Sequence, residues 1–284
     1  MKLFYSAFFF LACSLSTQAQ SGIKFDHLYV ESEDKWVVYK TNDDGSYGFG
    51  FIYIDEVAGP TYNYEGNFTL SPDGSYIPTR PLADKANLKV RLDPRSRDKV
   101  AIIPPSRYKD LGVTEFPDWL KYYKTDTGTV KRLYRWGFMY NDWNQYEKAL
   151  TYLERAYKSE PKYKGLETEL AFSYNALARY KEAIIILESM LQTDSGDCYT
   201  LKELAYAEQH SDAIHKAIDT YHRAVQSCSQ NATKAEIAFN IGGFYYYLKD
   251  KENLNLWATE TKKWATPGDK YYTRIDALVA DLNK

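Results

Sequence analysis

A step of 34 residues runs through the second half of the chain. Gly137, Ala171 and Ala205 keep it, and so do Ala149, Ala183 and Ala217. Trp136, Leu170 and Leu204 form a bulky row at the same interval; Leu153, Leu187 and Tyr221 form another, and Ala156, Met190 and Ala224 a third. Tyr140 and Tyr174 match, and Glu208 breaks their row. After three extra residues a degenerate fourth unit follows with Ile241, Gly242, Tyr245, Leu254 and Ala258, in which Leu254 stands where the earlier units carry Ala. Small residues held at two fixed places let paired helices approach closely, while bulky ones fill the space between pairs. A unit of this size cannot bury its apolar face alone, so such units stack in a row. The stretch "YNDWNQYEKALTYLERA", residues 140–156, is therefore one instance of a recurring element and not a catalytic helix.

The fullest unit, Trp136, Gly137, Tyr140, Ala149, Leu153, Ala156 and Pro161, resembles the tetratricopeptide repeat. The resemblance implies three to four helical hairpins over residues 130–267, stacked as an α-solenoid with one concave face. The residue after each small one usually faces that groove in such arrays, which here means Phe138, Phe172 and Tyr206. Tyr134, Asn141, Asn175, Tyr199, Lys202 and Gln209 are expected to share the face. An aromatic ladder favours an apolar or extended peptide whose main chain is bonded by Asn141 and Asn175. Some members clamp a peptide C-terminal carboxylate with Asn and Lys, but aromatics stand here where the Asn directly after the small residue is required. The ladder is either open or covered by the chain's own connector or sheet. Cys198 opens the first helix of the third unit and Cys228 ends its second helix, ends that are neighbours in an antiparallel hairpin, so a disulfide is expected between them. Residues 268–284 read as a capping helix: Tyr271, Ile275, Leu278, Val279 and Leu282 follow helical spacing, with Arg274, Asp276 and Asp281 off the stripe.

Residues 23–103 change period. "TYNYEGNFTL" alternates, with Tyr62, Tyr64, Phe68 and Leu70 assigned to one side of a strand and Thr61, Asn63, Glu65, Asn67 and Thr69 to the other. "NLKVRL" alternates likewise, from Asn87 to Leu92, and "KWVVYK", "GFGFIYI" and "KVAII" read as further strands joined by the turn chemistry of "NDDG", "AGP" and "SPDG". An antiparallel sheet of about five or six strands is expected, making the whole chain α+β. Gly48 and Gly50 lack the following helix and Lys-Ser/Thr of a phosphate loop; glycines at a bulge or opposite crowding aromatics fit better. Residues 104–129 are a connector in which Pro117 opens a short helix, "PDWLKYYK". Its Trp119, Tyr122 and Tyr123 are expected to pack on the sheet or the first hairpin.

The remaining sequence limits the chemistry. A net charge of −2 and a pI near 6.1 carry no basic footprint for nucleic acid. HExxH, CxxC and a nucleophile elbow are absent, and neither an enzyme nor a cofactor is expected. His215, Asp219 and His222 lie at metal-ligand spacing, but Ala217, Tyr221 and Ala224 form the core row of that helix, which turns the His face outward; no metal is expected. His27 reads as an ordinary strand residue, and the short signal-like N-terminus resembles bacterial export signals, which leaves the two glycosylation sequons, at Asn67 and Asn231, without expected meaning. At the N-terminus Lys2, the apolar run Leu3–Ala12 and Thr17-Gln18-Ala19 read as a signal peptide, residues 1–19, cleaved after Ala19. The alternative is lipidation at Cys13, against which stand Phe10 and the short apolar run. Cleavage would leave two cysteines in an oxidising compartment, with the protein periplasmic or secreted. The functional expectation is a non-enzymatic interaction protein that binds a peptide or protein partner. The alternative is a cell-envelope glycan-binding protein that uses sheet aromatics such as Tyr47, Tyr53, Tyr62 and Tyr64 as stacking platforms; Tyr occurs 27 times, and its ring suits both cores and binding surfaces.

Overall fold

A computed structural model describes residues 22–79 and 88–284. The expected signal peptide, Cys13 and Asn87 lie outside the described residues. The chain divides into two compact units, Met1–Tyr123 and Lys124–Lys284.

The first unit is an antiparallel sheet. Its strands are β1 (His27–Leu28), β2 (Lys35–Thr41), β3 (Tyr47–Asp55), β4 (Gly59–Leu70), β5 (Tyr76–Thr79), β6 (Lys89–Arg91) and β7 (Lys99–Ile102). They follow the order β1-β7-β2-β3-β4-β5, with β6 also paired to β4. β2, β3 and β4 form a meander, and β7 returns to the free edge of β2. One face carries Trp36, Val38, Phe49, Phe51, Tyr53 and Phe68, all buried. Residues 104–123 cover it: Leu111, from the short helix α1 (Tyr108–Leu111), and Leu120 join that core, and Trp36 Nε1 donates to the Thr114 carbonyl at 2.8 Å. Trp119 meets Tyr53 edge-on at 5.0 Å between ring centroids, and Tyr123 meets it at 4.6 Å. Tyr122, expected to pack with them, is instead 72% exposed, because Asp118–Tyr123 is a 3-10 helix that turns only part of its surface to the sheet.

Two β-bulges flank the same step of β3. Val38 opposes Phe49 and Lys40 opposes Gly48, so Tyr39 is the extra residue of β2; Gly66 opposes Phe49 and Tyr64 opposes Gly50, so Glu65 is the extra residue of β4. Opposed residues share a face. Tyr62 and Tyr64 therefore lie with Gly50 and Ile52 on one face, and Phe68 lies with Tyr47 on the other. This corrects the expected single row of Tyr62, Tyr64, Phe68 and Leu70: an inserted residue inverts the alternation beyond it. Gly50 is needed here. A Cβ at that position would fall 2.3 Å from the Asn63 carbonyl oxygen and 2.7 Å from the Tyr62 ring, so the aromatic lies across bare backbone.

The second unit is helical: α2 (Val130–Asp142), α3 (Tyr146–Ser159), α4 (Leu166–Ala176), α5 (Tyr180–Thr193), α6 (Cys198–His210), α7 (Ile214–Ser227), α8 (Asn231–Tyr247), α9 (Lys251–Trp264) and α10 (Lys270–Leu282). The first eight pair as four hairpins. Each hairpin turn holds one left-handed residue, Asn144, Ala178, Asp212 or Lys249, with φ between 58° and 61°. In each the amide that follows the left-handed residue reaches back across the turn to the same place in the first helix: Gln145 N–H to Tyr140 O, Arg179 to Tyr174, Ala213 to Glu208 and Asp250 to Tyr245. The same turn therefore recurs in every unit, including the fourth, which the extra residues displace but do not reshape. Small residues set the packing distance. A Cβ on Gly137 would lie 2.3 Å from Leu153 Cγ, so adding it costs about 1–3 kcal/mol of overpacking. Gly242 likewise admits Ile275 of α10, whose Cδ1 a Cβ would meet at 2.9 Å. α10 lays Tyr271 and Ile275 against α8 and α9 as the cap.

Candidate binding groove of the helical unit

First helices neighbour first helices along the stack: α2 meets α4, α4 meets α6, and α6 meets α8. The second helices make no comparable contact with one another. The row closes on its first-helix side and opens on the other, which places α2, α4, α6 and α8 on the inside of the curve.

Phe138, Phe172 and Tyr206 hold equivalent places on that inner layer. Phe138 is 45% exposed, whereas Phe172 and Tyr206 are half-buried. The covering rings also keep the repeat: Tyr146 meets Phe172 edge-on at 5.8 Å between centroids, and Tyr180 meets Tyr206 edge-on at 6.2 Å. His210 adds a third ring, 4.2 Å from Tyr206. Burial raises the Tyr206 hydroxyl above its ordinary pKa, and the Tyr180 hydroxyl adds to the shift. In α8 the equivalent place is Gly243, where an added Cβ would meet nothing within 4 Å. Three rings are thus followed by an open rung.

The polar residues assigned to this face divide. Tyr134 is half-buried, its hydroxyl over Gly165, and burial raises its pKa. Tyr199 is 37% exposed; burial is again the main cause of its raised pKa. Lys202 lies 3.2 Å from Glu203 and 3.8 Å from Glu236, and its ammonium sits 5.1 Å from the Tyr199 ring centre. These three border the ladder. Asn141 and Asn175 do not serve as expected. Both are 4% exposed. Asn141 Nδ2 donates to the Glu169 carbonyl at 3.0 Å and to Glu169 Oε2 at 2.9 Å, and its Oδ1 accepts from Ser173 Oγ at 2.7 Å. Asn175 Nδ2 donates to the Glu203 carbonyl at 3.2 Å and to Glu203 Oε2 at 3.0 Å. Each amide joins one first helix to the next, so neither is free to bond a docked main chain. Burial raises the Glu169 carboxyl pKa, and the Asn141 bond only partly offsets it. Gln209, 8% exposed, keeps a side-chain carbonyl oxygen without a partner.

Cys198 and Cys228 form a disulfide with Cα atoms 5.4 Å apart, joining the open ends of the third hairpin. His215, Asp219 and His222 are all exposed on α7. Among the described residues no group of three His, Cys, Asp or Glu side chains is placed to hold a metal, and no helix is long and apolar enough to cross a membrane. The four tyrosines expected as stacking platforms for a glycan do not share a surface. Tyr53 is 1% exposed inside the core beneath Trp119, Tyr62 is 5% exposed, and Tyr47 stacks on Phe68 on the face away from Tyr64.

A family model described as tetratricopeptide repeat matches residues 144–205. The chain carries tetratricopeptide repeats. The match begins in the turn of the first hairpin and ends within α6, inside the four hairpins whose turns superimpose in hydrogen bonding. Solved structures similar to this chain include MamA MSR-1, 17% identical with a TM-score of 0.44 over 51% of this chain and 81% of that one. A tetratricopeptide repeat protein from Parabacteroides merdae is 16% identical, with a TM-score of 0.41 over 63% of this chain and 68% of its own. The quorum sensor NprR from B. thuringiensis, in its apo form, is 15% identical, with a TM-score of 0.45 over 54% of this chain and 47% of its own. No curated protein matches the chain.

Proposed function

We propose that the inner face of the tetratricopeptide repeats binds an extended segment of a protein partner, and that the protein is an exported, non-enzymatic interaction module. The observation that carries this reading is Phe138: a ring 45% exposed at the head of a ladder in which each later ring is backed by a tyrosine. Backed aromatics give broad contact at low entropic cost, and an exposed apolar row beside a polar rim is the anatomy of an interface. Apolar side chains of the segment lie over Phe138, Phe172 and Tyr206. One bulky residue enters the open rung at Gly243. Tyr134, Tyr199 and Lys202 supply the rim, and the unpaired Gln209 carbonyl accepts a main-chain N–H once a small rotation admits it. Asn141 and Asn175 hold the register of the helices beneath. The disulfide supports export, since such bonds persist in oxidising compartments.

The test is a peptide array probed with the full chain, followed by titration calorimetry on the best sequences. Binders are expected to contain apolar or aromatic residues at alternate positions. Phe138→Ala and Phe172→Ala are each expected to weaken binding by about tenfold or more, the loss of a well-placed interface aromatic. Binding that survives both substitutions refutes the groove.

A further inference from the structure

The sheet face opposite the covered core holds a cleft of about 420 Å³ beside both β-bulges and over Gly48, within the range of small-molecule sites. The bulged residue Tyr39 and its neighbour Lys40 form one wall, and Tyr64 and Asn67, which bracket the other bulge, form the second. Gly48 is the floor: a Cβ there would touch only Asn67 Oδ1, at 3.5 Å. Leu88 and Val90, 55% and 42% exposed, make an apolar side.

The polar groups have defined states. Tyr64 donates its hydroxyl to Asn67 Oδ1 at 2.9 Å, which turns the Asn67 amide so that its nitrogen is the group left to donate. Asp44 accepts the Ser46 N–H at 2.9 Å, and bonds from Ser46 hold its carboxyl below the ordinary value, so it is ionised. Lys40 also lines the cleft, so the one cationic and one anionic side chain of the lining cancel in formal charge. Tyr62, which also lines it, is 5% exposed and has a hydroxyl with no partner. An unpaired buried hydroxyl is costly and uncommon.

We infer that this cleft binds a saccharide carrying an acylated amino sugar. With one cation and one anion in its lining, the cleft carries no net charge that would select a charged ligand. Two half-buried tyrosine rings offer π-faces to the C–H face of a pyranose. Asn67, Asn42 and Asp44 present the donors and acceptors that sugar hydroxyls need. The apolar side at Leu88 and Val90 receives the acyl methyl group. Nothing in the inference depends on the helical groove, and the variants below leave that groove untouched.

The test is calorimetric titration of the full chain with N,N′,N″-triacetylchitotriose, with maltotriose in parallel. The chitotriose is expected to bind and the maltotriose to bind at least tenfold more weakly. Tyr64→Ala is expected to weaken chitotriose binding at least tenfold. Gly48→Val, which builds into the floor at a residue with ordinary backbone geometry, is expected to abolish it, with the far-ultraviolet circular dichroism unchanged. Tyr39→Ala gives the same readout from the other wall should Gly48→Val fail to fold. Absence of chitotriose binding, equal binding of maltotriose, or affinity that survives Tyr64→Ala and Tyr39→Ala each overturns the inference.

Discussion

Asn141 and Asn175 make the same pair of bonds to the next helix, but only one of them is complete. Asn141 Oδ1 accepts from Ser173 Oγ. One repeat later Ala207 stands where Ser173 does, and Asn175 Oδ1 is buried without a partner. Removing the donor in the first case and adding it in the second are therefore mirror experiments. Ser173→Ala strands a buried acceptor and is expected to destabilise by about 1–3 kcal/mol, while Ala207→Ser supplies the missing bond and is expected to stabilise by about 0.5–1.5 kcal/mol. With a urea m-value of about 2 kcal/mol/M, a change of 1 kcal/mol moves the unfolding midpoint by roughly 0.5 M. Circular dichroism in urea reads both variants. Ser173 Oγ also lies 2.9 Å from its own helix carbonyl at Glu169, and one hydroxyl hydrogen serves one strong bond at a time. A midpoint unchanged in Ser173→Ala would mean that the hydrogen goes to Glu169 and the mirror argument is wrong. The decisive control is Asn175→Ala: a gain from Ala207→Ser that persists without Asn175 also refutes it.

Ala178 sits at φ 58° in the second hairpin turn, so Ala178→Gly is expected to raise stability by about 0.5–1 kcal/mol, the left-handed penalty less the entropy of glycine; urea unfolding checks it. Glu208 is 4% exposed, bonded to Thr220 at 2.8 Å, and its carboxyl pKa is raised chiefly by burial. A raised folded pKa gives stability that is full below the ordinary glutamate value of 4.5 and is lost as pH rises through the folded value. Glu208→Gln is therefore expected to melt higher than wild type at pH 7, with an advantage that shrinks toward pH 4; an advantage independent of pH sinks the assignment. Reduction of Cys198–Cys228, at a sequence separation of 30, is expected to cost about 3–4 kcal/mol on the chain-entropy estimate, measured as the drop in urea midpoint with and without a reductant.

Features carried by repetition were legible in the residues. The 34-residue step located the hairpins, the tight contact at Gly137 and the pairing of Cys198 with Cys228, because each follows from one unit superimposed on the next; the cap at Ile275 was read from helical spacing instead. Features that depend on a single inserted or distant residue were not. Counting alternate residues through β4 assigns Phe68 to the face of Tyr62, and nothing in "YNYEGNFTL" marks Glu65 as the bulge that inverts it. Asn141 and Asn175 look like groove residues by position, but their partners lie 28 residues away on the next first helix. One signal was available: an Asn recurring at the repeat step, with a Glu recurring at the same step beyond it, marks a bond between units. The cleft at Gly48 was hidden for the same reason as Phe68, since its lining is set by residues on both sides of two bulges.

The disulfide also divides the helical unit by mechanics. Tension applied through the two chain ends passes from Cys198 to Cys228 through sulfur and bypasses the peptide between them. About 100 Å of contour is withheld from any extension, and the third hairpin stays wound as a knot of fixed length while its neighbours are drawn out. A reducing surrounding would release that length, so redox state sets how far a tethered copy of this protein can reach under load.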